Sequence, residues 1–327
     1  MSAGAITTHV LPRAATGRRI DALDVARGVA LIAMTVYHFA WDLAFFGYVA
    51  AADLRTTGWI LFARTIATAF LFLVGVSLVL AHGRALRPRA FLVRLAQIAA
   101  GAAAVSLATY LFVPGGFIFF GILHAIALFS VLALPFLRLP WPVAALAGGA
   151  VLWIGNTIAH PLFETPWTWW IGLAPAPPVS NDYVPLFPFL APVLFGVAFA
   201  RVAPVLGLWD ALRAWNGRAQ PLAWLGRHSL AYYLAHQPVL FGLVAGVAWV
   251  TGGPDRTAEY RAAWTAECRT ETAASGSTLA CEPYVACVIE GAERETLFTA
   301  VTRDALDDGQ RARLNEIIAG CVADNTR

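Results

Sequence analysis

Two ionisable side chains, His38 and Asp42, stand one helical turn apart inside the apolar run Gly28–Phe46. A charge near the centre of a bilayer costs at least ~2.5–3.5 kcal/mol on insertion scales, so each such group needs a partner or a purpose. Counted from Arg27 at the start of the run, His38 lies about 16 Å in and Asp42 about 22 Å in, at 1.5 Å per residue. An imidazole at mid-membrane depth is a candidate base or nucleophile. Arg64, five residues beyond Trp59 in the next apolar run, falls about 8 Å from the boundary, level with Asp42 if the two helices are antiparallel neighbours. An Asp42–Arg64 ion pair at the outer side of a polar cavity is therefore expected. Two further histidines occupy other runs: His124 in "FGILH" and His236, beside Gln237, in "RHSLAYYLAHQP". Three histidines in separate spans point to a shared cavity, with His38, Asp42, His124 and His236 as candidate catalytic groups. Tyr37, Ser77, Gln97 and Asn156 read as hydrogen-bonding links between helices.

The elements that must position these groups are membrane helices. Hydrophobic residues make up 59% of the 327 and charged residues 13%, with a mean hydropathy of +0.64; a soluble domain carries about 25% charge. Runs long enough to cross ~30 Å of hydrocarbon occur at Gly28–Phe46, Trp59–Leu80, Phe91–Val113, Phe117–Leu137, Trp141–Ala159, Leu186–Ala203 and His228–Val250. Pro185, Pro188 and Pro192 interrupt the start of the sixth. Two short amphipathic stretches, 165–173 and 207–216, read as interfacial, the first with Trp167, Trp169 and Trp170. Arg18-Arg19 precedes the first run, but that run has full-span length and no small-residue cleavage site follows, so it is expected to be retained.

Arginine placement sets the expected orientation. Arg13, Arg18, Arg19 and Arg27 precede the first span. Arg84, Arg87, Arg89 and Arg94 follow the second, Arg138 the fourth, and Arg201, Arg213, Arg218 and Arg227 the sixth. The alternate connections hold Arg55 alone. The expectation is an all-α, polytopic transmembrane bundle of about seven spans in a bacterial inner membrane. A cytoplasmic arm (1–27) leads into the membrane domain (28–250), and a small extracytoplasmic helical domain (251–327) follows.

Charge separates the two larger parts. Residues 1–250 hold 15 arginines against 7 acids, and residues 251–327 hold 8 against 13. The chain has no lysine, which excludes Schiff-base and lysine-dependent pyridoxal phosphate chemistry. All four cysteines (Cys268, Cys281, Cys287 and Cys321) lie in the tail. An even count in a short extracytoplasmic segment reads as two disulfides; no histidine or C-x-x-C pair supports a metal there. Leu314, Ile317, Ile318, Cys321 and Val322 recur at helical spacing, and Asp307-Asp308-Gly309 is expected to break the chain before them. If that helix folds back on its predecessor, Cys287 and Cys321 meet at one end of the hairpin. Cys268 and Cys281 are left to close the Ser275-Gly276-Ser277 loop. No nucleic-acid motif, phosphate loop or internal repeat is present.

The segment 19–48, "RIDALDVARGVALIAMTVYHFAWDLAFFGY", resembles the opening of the heparan-alpha-glucosaminide N-acetyltransferase catalytic-domain family, bacterial branch, with its "LD..RG.A...M...H" signature. "FLFLVGVSLVLA", "FIFFGILHAIA" and "GRHSLAYYLAHQPVL" match further segments in order. Arg27 and His38, with ten residues between them, also resemble the arginine–histidine pair of wider membrane acyltransferases. The resemblance implies acetyl transfer from cytoplasmic acetyl-CoA to a glycan or glycolipid acceptor at the outer face, with no metal. His38 would be base or acetyl carrier; Asp24 and Arg27, with Arg84, Arg87 and Arg89, would hold the CoA. A transporter or flippase using the same polar cavity is the alternative, and a non-catalytic envelope scaffold working through its tail a third. The acceptor and the oligomeric state are left open.

Overall fold

The computed structural model describes residues 19–215, 217–254, 257–302 and 306–326. Arg13 and Arg18, with most of the expected arm, lie outside the described residues. The chain forms two compact units, one comprising residues up to Ala44 with Val49–Val244, the other Phe45–Tyr48 with the residues from Ala245 onward. The described residues are helical throughout, with a single isolated bridge, Leu279 to Thr326, and no strand.

The first unit contains α1 (Asp21–Phe45), α2 (Thr57–His82), α3 (Pro88–Phe112), α4 (Ile122–Leu132), α5 (Trp141–Thr157), α6 (Leu186–Val202), α7 (Leu208–Ala214), α8 (Gln220–Arg227) and most of α9 (Ser229–Thr251). Four helices, α1, α2, α3 and α9, are long and apolar enough to cross a membrane. The other three apolar runs make shorter helices. At 11 residues α4 reaches only about 16 Å. Residues 117–121 stay out of it, and Pro135 opens a 3-10 turn just past its end. Helices α5 and α6 have 17 residues each. Of the two amphipathic stretches, the first contains a 3-10 turn at Trp169–Ile171 and the second is α7, which buries Trp209.

Backbone contact holds α2 against α6. A Cβ added at Gly75 would stand 2.0 Å from the Val193 carbonyl oxygen, and one at Gly196 would stand 2.1 Å from that of Phe72. Only glycine permits this approach, the small-residue packing that membrane helices use in place of a hydrophobic drive. Leu71, Val76, Val193, Leu194 and Val197 fill the seam around it, almost wholly buried. The start of α1 is clamped in the same manner by α8: a Cβ at Gly226 would meet the Asp24 carbonyl oxygen at 1.8 Å.

The second unit contains α10 (Thr257–Ser275), α11 (Cys281–Arg294), α12 (Phe298–Thr302) and α13 (Asp308–Asn325). Disulfides join Cys268 to Cys281 and Cys287 to Cys321, with Cα–Cα distances of 5.7 and 5.8 Å. Val285 and Ile289 form a buried core with the first pair, and Ile317 of α13 lies over Gly291 of α11. The break before α13 falls ahead of Asp307 rather than across 307–309. Asp307 is the N-cap, its carboxylate accepting from the Gln310 amide while Gln310 reaches back to the Asp307 N–H. This reciprocal box satisfies two amides that the helix start leaves open.

Candidate functional site

Near its start, α1 carries the buried Asp24. Its carboxylate accepts from Arg19 Nε at 2.8 Å and Arg27 Nη1 at 2.6 Å. Arg27 also donates to Ser77 on α2, whose hydroxyl in turn donates to the Leu73 carbonyl. The cluster fixes α1 to α2 and leaves Arg27 facing a cavity of about 420 Å³. Arg19, Arg94, Arg227 and His82 line the same cavity, whose remaining wall is mostly apolar and includes Leu31, Phe70 and Tyr233. Several guanidinium groups around one opening suit a multiply charged phosphate ligand, because each presents fixed N–H donors.

About three to four turns beyond Arg27 on α1 is a second polar cluster. The His38 ring centre is 5.1 Å from that of His236 on α9. The Nδ1 of His236 lies 2.6 Å from the Tyr233 carbonyl oxygen, which can only accept. Nδ1 therefore carries the proton and Nε2 keeps its lone pair. Tyr232 stacks on the His236 ring (5.9 Å, 9°) and is tied to Thr35 of α1 through a 2.7 Å hydroxyl contact. Asp42, also buried, accepts from Gln237 Nε2 at 2.7 Å. Four buried atoms here have no hydrogen-bond partner among the described residues: the indole donor Trp41 Nε1 and three acceptors, His236 Nε2, Asp42 Oδ2 and Gln237 Oε1. Unpaired buried polar atoms are rare in folded proteins.

The expected Asp42–Arg64 ion pair is not formed. Asp42 bonds Gln237, while Arg64 is exposed. Depth sets only the level of a side chain; its direction follows from helical phase. Ile66, buried against Leu31 and Met34, marks the face of α2 that meets α1, and Arg64 is two residues, about 200°, away from it. The structure also withdraws His124 from the histidine cluster. Its Nδ1 accepts from the Gly121 amide and its Nε2 faces Ser106 Oγ, both at 3.2 Å, so it serves to hold the start of α4. Among the expected CoA ligands, Arg27 lines the cavity, and Asp24 lies behind it as the counter-ion. Arg84 and Arg87 on the connection to α3, and Arg89 in its first turn, are exposed and do not line the cavity. Arg19, Arg94, Arg227 and His82 stand there instead.

Sequence reasoning missed Asp182. The connection between α5 and α6 folds back on the start of α4: the Asn181 amide donates to the Gly116 carbonyl and the Val184 amide to that of Phe120. Between them, Asp182 accepts from the Ile122 amide at 2.8 Å and faces the Tyr233 hydroxyl. Burial pushes its carboxyl up to about 6, against the opposing pull of those two groups. One of two acids, with Glu164, in a connection without arginine, it offered little signal in the sequence.

The profile of a family described as heparan-alpha-glucosaminide N-acetyltransferase, catalytic, matches residues 19–238, a stretch that contains both polar clusters and the cavity. No curated protein and no solved structure matches the chain.

Proposed function

Because the chain belongs to the heparan-alpha-glucosaminide N-acetyltransferase catalytic family, we propose that its membrane unit moves an acetyl group from cytoplasmic acetyl-CoA to a glycan or glycolipid acceptor at the outer face. Membership carries acetyltransferase activity in general and a membrane setting; donor, acceptor and sidedness are our reading. The observation that carries it is the group of three unpaired acceptors beside the His38–His236 pair. An incoming sugar hydroxyl or amine supplies the missing donors. His236 Nε2 or His38 then takes the proton from the attacking atom, the role of a general base. At the other end of the same helix, Arg19, Arg27, Arg94 and Arg227 would hold the phosphates of CoA by charge-assisted hydrogen bonds.

The orientation proposed with this reading puts the Arg27 end of α1 at the cytoplasmic face of the inner membrane. Seven spans (α1, α2, α3, the α4 region, α5, α6 and α9) then place the disulfide-bearing unit outside, where disulfides persist.

The test uses sealed membrane vesicles carrying the protein, radiolabelled acetyl-CoA and a glucosamine-terminated oligosaccharide. Inside-out vesicles given external acetyl-CoA and loaded with acceptor should release CoA and label the acceptor. His38→Ala and His236→Ala should lower this by 10²–10⁴-fold, the usual worth of a general base. Movement of the sugar across the membrane without acetylation, or undiminished labelling by both variants, overturns the reading in favour of transport or of other catalytic groups.

A further inference from the structure

Tyr233 occupies an unusual position on α9. Its side chain lines the arginine-bearing cavity, its ring centre is 5.6 Å from that of His236, and its carbonyl holds the His236 Nδ1 proton. It packs against three of the buried clusters of the membrane unit. Its hydroxyl faces Asp182, which the Ile122 amide pins. A Cβ at Gly121 would stand 2.3 Å from Asp182 Oδ2, so the start of α4 is shaped around that carboxylate. The geometry points to Asp182 as a positioning residue for the transfer: from the α5–α6 connection it fixes the Tyr233 phenol as the wall between the cavity and the histidine pair.

Asp182 touches neither cluster directly, so it acts through Tyr233. With the phenol anchored, the Tyr233 ring has one orientation, and so does the imidazole packed against it. Released, the ring is free to swing into the cavity or toward His236. The titratable groups facing Asp182 are Tyr233 from α9 and Tyr37 from α1, with His124 one turn into α4. No ion pair reaches it among the described residues, and burial holds its carboxyl near 6. The ionised form is the stronger acceptor for the phenol. The anchor therefore weakens as pH falls through about 6, and kcat falls with it.

This inference rests on the acetyl-transfer reading, and the experiment separates the two with a readout that needs no turnover. In purified full-length protein, kcat and KM for acetyl-CoA are followed from pH 5 to 8 in Asp182→Asn, Asp182→Glu, Tyr233→Phe and the Asp182→Asn/Tyr233→Phe double variant. Each asparagine or phenylalanine change should lower kcat about tenfold, the loss of one oriented contact, with KM within about twofold. The double variant should be no worse than either single one. Asp182→Glu should recover part of the rate, and the acid limb near pH 6 should be diminished in Asp182→Asn. In parallel, the ¹⁵N shift of labelled His236 should move in Asp182→Asn and Tyr233→Phe but stay in place in Arg64→Gln. An unmoved His236 signal, losses that multiply in the double variant, or an acid limb identical in Asp182→Asn overturns the positioning role. So does a fall in melting temperature with the kcat of the folded fraction unchanged. If no CoA is released by any form while the His236 signal still shifts, the acetyl-transfer reading fails and the Tyr233 anchor stands.

Discussion

Helix α1 buries a carboxylate near each end, and the two are in opposite condition. Asp24 is 2% exposed and saturated, with an arginine on each oxygen. Asp42 is 3% exposed and has one neutral amide on one oxygen and, among the described residues, no partner on the other. Equal burial thus hides unequal roles. A carboxylate with a guanidinium on each oxygen has its charge compensated and serves the fold. A bare buried oxygen costs free energy that packing alone does not return, so it is the one that an incoming donor completes.

The largest effect expected from this contrast is on Asp24. Asp24→Asn leaves Arg27 partly buried without its counter-ion, and breaking one side of a buried pair typically costs about 3–5 kcal/mol. The measurement is the thermal midpoint and the folded yield in detergent; a midpoint equal to wild type would erase the distinction between the two ends. Next comes Asp42→Asn, which keeps the shape and removes the charge. Acceptor-dependent turnover should drop by about 10–100-fold, roughly 1.4–2.7 kcal/mol of barrier, while the midpoint holds or rises. A lower midpoint with unchanged turnover would make Asp42 a second structural anchor. The smallest effect is reserved for Arg64→Gln. An exposed side chain away from such features changes stability by no more than about 0.5 kcal/mol, and turnover should match wild type. Any coupling between Arg64 and Asp42 in a double-mutant cycle would contradict the geometry.

Much of this was legible in the amino acids. The seven apolar runs all contain helices, the signature around "LDVARG" on α1 led to the family, and the cysteine pairing followed from folding one tail helix on another. What failed has a common physical cause. Hydropathy and depth report position along the membrane normal, whereas contacts depend on rotation about each helix axis. That is why Asp42 and Arg64 share a level and never meet, and why His124 turns toward Ser106 instead of His38. Four longer helices declared themselves by length, but the short α4 did not, because its start is set by Asp182, some 60 residues later. The re-entry of 181–184 rests on backbone bonds to Gly116 and Phe120 that no local pattern encodes. The cavity arginines were similarly hidden: Arg84, Arg87 and Arg89 make the conspicuous cluster, while Arg94 of α3 and Arg227 at the end of α8 come to one cavity only in the folded unit.

The glycine contact between α2 and α6 has a mechanical consequence. Where two backbones touch, there is no layer of side chains to deform, so the pair has a single register. Sliding α6 by one turn, about 5.4 Å, would bring a residue with a Cβ, Ala200 or Pro192, toward the place of Gly196 against the Phe72 carbonyl. Helices α2 and α6 must then travel as one body, and α5, closely packed on α6, goes with them. Whatever opening admits a substrate is left to the other side of the unit. There α3 and α9 meet through side chains such as Ile98 and Leu234, with rotamers to spare: a fixed frame on one side, and the moving parts on the other.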